Sequence, residues 1–128
     1  MRPDRTYAVV VGIEHYALDG SDLNGPSKDA VQFVTWLRKH EVPADHIFLF
    51  LSPLAKDAAE LDATLRSAKV GVARRPAHRN DIEKCLEDLG EKEQYAGDLL
   101  YLFWGGHGIA DEHGRYLFGR PSVSYALF

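Results

Sequence analysis

Three short, uninterrupted apolar runs limit what this chain can become: YAVVVG at residues 7–12, HIFLFL at 46–51 and LLYLFW at 99–104. None alternates polar and apolar, as a strand with one face in water would. Continuous runs of this length suit strands covered on both faces, as in a parallel sheet between helices. None approaches the roughly 18 apolar residues of a membrane span.

The intervening segments supply the helices. Ala30, Phe33, Val34 and Leu37 fall at i, i+3, i+4 and i+7, one face of a helix, with Ser27 as the candidate cap. Asp29 near its start and Arg38, Lys39 and His40 near its end suit the helix dipole, and Pro43 closes it. Residues 57–69 are alanine-rich and could be helical with a weaker apolar face. Residues 70–76, with Gly71 and Pro76, read as a surface loop. Asn80 followed by Glu83 is a capping-box pattern, and Ile82, Cys85, Leu86 and Leu89 share a face behind it. Residues 17–27 form a loop. Ile109 and Ala110 with residues 115–118 flank DEHG at 111–114 as a small hairpin. Strand, helix, strand, helix, strand and hairpin in this order imply an α/β layer fold with a parallel sheet. Function in such sheets gathers beyond the carboxyl ends of the strands, here residues 13–27, 52–54 and 105–110.

Composition narrows the function further. A chain of 128 residues suits one domain. Its net charge of −4, from 15 basic and 19 acidic residues, provides no broad footprint for nucleic acid or an anionic membrane. The amino-terminal apolar run is short, ends in Glu14 and His15 and lacks a small-residue cleavage site, so it reads as a strand and not a signal peptide. The single cysteine allows no internal disulfide and no cysteine metal cluster, which suits a reducing cytoplasm. His40, His46, His78 and His113 have no metal-binding spacing, and no HExxH is present; neither a metal nor another cofactor is expected. Phosphate-cradling glycine motifs are absent as well. Arg74, Arg75, His78 and Arg79 form a small basic patch, either a solvated loop or an exposed processing site.

The chemistry points to GGHG at residues 105–108, immediately after the third apolar run. Glycines around a histidine remove side chains, permit tight turns and leave backbone N–H groups able to face a ligand. An imidazole beside bare N–H donors offers what acyl transfer needs, a proton shuttle near neutral pH and an oxyanion site. A loop histidine whose glycines serve only the turn is the alternative.

Taken together, YAVVVGIEHY, LNGPSKDAVQFVTWL, DIEKCLEDLGEK and LLYLFWGGHG resemble the front part of a caspase-like cysteine peptidase of the caspase–metacaspase superfamily (clan CD). The bacterial and metacaspase-type branch is the nearer match, and the likeness runs over residues 5–119. It implies an α/β/α three-layer sandwich with a mostly parallel sheet. This chain would hold its amino-terminal part, three parallel strands and a small hairpin, as one incomplete domain over residues 1–128. It also implies that His107 is the catalytic histidine, that Gly108 contributes an oxyanion-hole N–H, and that the substrate is a protein or peptide. Bacterial peptidases of this type often serve programmed death or defence. Classical caspases hold an acidic P1 side chain with an arginine before the first helix; the matching position here is about Leu23. A basic P1 side chain is more compatible with Asp22 or Asp29, although Asp29 equally suits the helix dipole. Glu14 and His15, at the end of the first strand, are either substrate-facing rim residues or a solvated strand end.

The family's nucleophilic cysteine lies about 50 residues beyond its histidine. Only 21 residues follow His107 here, none of them cysteine. Cys85 falls on an apolar helix face and reads as core. Ser122 and Ser124 lack a nucleophile-elbow context. The expected nucleophile therefore lies beyond residue 128, the alternative being a non-catalytic caspase-like module used for binding or regulation. The third apolar run would normally have a further strand beside it. Its open edge calls for the rest of the domain or a partner chain. The isolated 128-residue chain should consequently self-associate in sizing experiments; a monodisperse monomer with cooperative melting would contradict that expectation.

Overall fold

The computed structural model describes residues 1–15 and 25–106, together with the backbone of three short strands at 108–110, 116–118 and 125–126. The three apolar runs form β1 (Thr6–Ile13), β2 (Ile47–Ser52) and β4 (Leu99–Gly105). Helices α1 (Pro26–Lys39), α2 (Ala55–Arg66) and α3 (Arg79–Glu91) lie between them in sequence. β3 (Arg74–Pro76) completes a four-stranded parallel sheet in the order β3-β2-β1-β4. The expected parallel α/β arrangement is thus present, with four strands in the main sheet instead of three.

Every residue of β1 is buried, because the strand is paired on both edges and covered on both faces. Ala8 and Val10 pack with Ala30, Val31, Val34 and Leu37 of α1 and with Leu61 and Leu65 of α2. Val9, Val11 and Ile13 pack with Phe50, Ile82 and Cys85, the last two on α3. Alternate residues of one strand therefore serve opposite layers, which explains why the run had to be apolar throughout.

Residues 70–76 depart from the expected surface loop. Val70 and Val72 are buried, and residues 74–76 pair with β2. Arg74 donates to both carboxylate oxygens of Asp62 on α2, at 2.6 and 3.3 Å, and holds that carboxyl below its ordinary pKa. The strand is an edge, where arginines and a proline fit without costing a ladder bond, so its sequence looks like a loop. Two caps also differ. α1 starts on Pro26 with Gly25 at the cap position (φ 122°), and Ser27 is buried one residue further on. α3 starts at Arg79 with no side-chain cap, and Glu83 accepts from Arg79 at 2.8 Å instead of closing a capping box on Asn80.

The hairpin appears as β5 (Gly108–Ala110) and β6 (Tyr116–Phe118), antiparallel with Ile109 opposite Leu117. β7 (Tyr125–Ala126) adds a third strand that residues 120–128 did not announce. Among the described residues, no helix is long and apolar enough to cross a membrane.

The tightest packing in the sheet lies at its carboxyl end. A Cβ on Gly12 would come 2.8 Å from the carbonyl oxygen of Pro26 and 3.0 Å from Ala30 Cβ. Gly12→Ala should therefore destabilise the protein by about 1–3 kcal/mol, the usual penalty for overpacking. Denaturant melting reads this directly, and an unchanged midpoint would refute the close approach.

Candidate active site

Because β1, β2 and β4 are parallel, their carboxyl ends converge on one rim, joined there by the first turns of α1 and α2. The chain is sewn together at this rim by backbone groups. The Ser52 carbonyl accepts from the N–H of Glu14 at 2.8 Å and of His15 at 3.0 Å. Ser52 Oγ donates to the His15 carbonyl at 2.9 Å. The Glu14 carboxylate takes the Gly25 N–H on Oε2 at 2.7 Å and the Leu54 N–H on Oε1 at 3.3 Å.

Glu14 is fully buried. The expectation of a substrate-facing or solvated residue is corrected: both carboxylate oxygens accept backbone N–H bonds inside the rim, where a buried polar group needs such partners. His15 is exposed beside it. Asp29 is exposed in the first turn of α1, and its N–H donates to the Gly25 carbonyl at 2.9 Å. Gly25 thus links Glu14 to Asp29 through its two backbone groups. Asp22 and Leu23 lie outside the described residues.

β4 reaches this rim at Gly105, level with Gly12 of β1. A Cβ on Gly105 would stand 3.2 Å from Pro26 Cβ, so the proline ring packs over the end of β4. The sequence marks this contact only by a glycine at the end of each of two neighbouring strands and a proline opening the helix above them. Gly106 follows, and Gly108 opens β5. His107 itself lies outside the described residues.

Cys85 is distant from this chemistry in kind. It packs with Ile82, Val9, Val11 and Phe50 beneath α3. Burial pushes its thiol up to about 11, while the nearby Arg75 lowers it only in part. The basic patch is also largely neutralised, since Arg74 pairs with Asp62 and Arg79 with Glu83. Arg75 lies against the rings of Phe48 and Phe50, 5.7 and 5.9 Å from their centroids. With Arg74 and Arg75 in a paired strand, a processing site there loses the extended loop it would need. Among the described residues, no group of three or more histidine, cysteine, aspartate or glutamate side chains could hold a metal ion.

The model of the caspase domain matches residues 5–125, spanning the sheet, its helices and the GGHG segment. The chain belongs to the caspase-domain family. It is 29% identical over 108 residues to a probable protease from a Desulfuromonadales bacterium, a match covering 82% of this chain and 12% of that relative. The chain thus spans about an eighth of the length of the curated relative it matches. No solved structure matches it.

In this caspase domain β4 is the edge of the main sheet. Leu100 and Leu102 are 48% and 57% exposed on one side of it, and Leu99 is 40% exposed on the other. The open apolar edge expected beside the third run is therefore present among the described residues.

The Cys85 thiol is a direct probe of this arrangement. Raised to about 11, it should be almost wholly protonated at pH 8 and resist iodoacetamide in the folded protein. Labelling should accelerate as pH rises toward that value and become fast in denaturant. Rapid native-state labelling at pH 8 would contradict the buried placement.

Proposed function

We propose that this chain is the histidine-bearing part of a caspase-type cysteine endopeptidase acting on protein or peptide substrates. The observation carrying the reading is the caspase-domain match over residues 5–125, which takes in β4 and the histidine just after its end. His107 is the proton-transfer residue and the Gly108 N–H belongs to the oxyanion hole. A cysteine thiolate attacks the scissile carbonyl carbon, forming a C–S bond and an oxyanion. His107 then donates its proton to the leaving nitrogen as the C–N bond breaks. Water next attacks the thioester with His107 accepting one of its protons; the C–S bond breaks, releasing the carboxylic acid and restoring the thiolate and the protonated His107.

The nucleophile is a cysteine carried outside these 128 residues. Support comes from the burial of Cys85, from its raised pKa and from the exposed leucines of β4, which the rest of the domain would cover. The reducing cytoplasm would keep such a thiol available. At P1 we favour a basic side chain: Asp29 is exposed at the rim and Leu23 stands where an acid-binding arginine would be expected.

The test uses the intact protein with fluorogenic peptides bearing arginine, lysine or aspartate at P1. His107→Ala should lower kcat/KM by about 10²–10⁴-fold, the usual range for losing a general acid–base. Cys85→Ala should leave the rate unchanged, and iodoacetamide should abolish it. Undiminished cleavage by the His107 variant would sink the assignment. A folded intact protein that cleaves none of the peptides would favour a regulatory, non-catalytic caspase module.

A further inference from the structure

Glu14 does more than fill a buried position. Its two acceptor bonds reach Gly25, 11 residues on, and Leu54, 40 residues on, so one carboxylate fixes three separate segments at the rim. Gly25 is poorly restrained by its own geometry. It stands at the N-cap of α1 at φ 122° and, having no side chain, gives that helix no side-chain cap bond. Among the described residues, its N–H is held by Glu14 and its carbonyl by the Asp29 N–H.

The next residue, Pro26, packs on Gly105, and its carbonyl sits where a Cβ on Gly12 would go. Among the described residues, the end of β4 has β1 on one side and no strand of the main sheet on the other, and Pro26 packs against it there. From Gly105 the chain continues through Gly106 into His107. A shift of Gly25 would carry Pro26 off Gly105 and free the backbone that leads to the histidine.

We propose that Glu14 is a positioning residue: by holding Gly25 and Leu54 it seats the first turn of α1 on Gly105 and so sets the backbone leading into His107. The mechanical part stands on the distances alone. Its consequence for catalysis rests on the peptidase reading above.

The test compares the intact parent protein with Glu14→Ala, which removes both acceptors, and Glu14→Gln, which keeps one. Amide exchange at Gly25 and Leu54 should quicken by about tenfold or more in Glu14→Ala and by less in Glu14→Gln, with Val9 to Val11 unchanged. The His107 imidazole signal in NMR should move in both variants. For peptide cleavage, kcat should fall with KM held, and Glu14→Gln should recover part of the loss. Unchanged exchange at both amides would overturn the clasp. Faster exchange with an unmoved His107 signal, or with an unaltered kcat, would overturn the coupling to the histidine. Should Glu14→Ala fail to melt cooperatively, Glu14→Gln carries the same comparisons. Should the parent cleave no peptide, the peptidase reading falls while the exchange and imidazole signals still decide the inference.

Discussion

Burial of β1 on both faces, with pairing on both edges, is the constraint from which the rest of the structure follows. Its side chains contribute alternately to the layer under α1 and α2 and to the layer under α3. A slip of one residue would exchange Ala8 and Val10 for Val9 and Val11, altering the volume offered to each layer. It would also remove Gly12 from the level of Gly105, where Pro26 and Ala30 leave no space for a side chain. Apolar burial thus selects the strand, while the glycines select its register. The rim inherits that precision, since β1, β2 and β4 can end together only when the register is kept.

The rim combines two kinds of restraint with different tolerance. The glycine and proline contacts are steric and short-ranged, so they hold β4 against the first turn of α1 with little room for adjustment. The Glu14 bonds are electrostatic and directional, and they draw backbone from distant parts of the chain to one carboxylate. A buried carboxylate without donors would be strongly disfavoured, so the Gly25 and Leu54 amides are as necessary to Glu14 as Glu14 is to them.

How much of this could be read from the chain depends on the range of each interaction. The positions of the three strands, the face of α1 and the core placement of Cys85 are legible because apolar patterning over a few residues determines them, although β4, unlike β1 and β2, is not buried as its apolar run implies. β3 was hidden because an edge strand of three residues with two arginines has no local apolar signature; buried Val70 and Val72 and the Asp62 pair hold it in place. The caps mislead because Ser27 and Asn80 are good capping residues two positions past the actual caps, Gly25 and His78. The sequence puts Glu14 at the rim, but its burial is not legible there. Its partners are backbone amides whose approach depends on the tertiary fold, and no residue type in the sequence marks them.

The strand that leads to the histidine is also the least supported strand of the sheet's apolar core. β1 exposes none of its residues, whereas Leu99, Leu100 and Leu102 of β4 stand well exposed and Tyr101, Phe103 and Trp104 are only partly covered. The apolar surface occurs on both faces of β4, so covering it requires material on each face as well as a strand along the edge. Whatever completes the sheet would therefore stiffen the same backbone that Pro26 restrains from the other side. On the peptidase reading this joins completion of the fold to assembly of the site. The segment bearing the nucleophile and the backbone leading to His107 would then both depend on closing the edge of one strand.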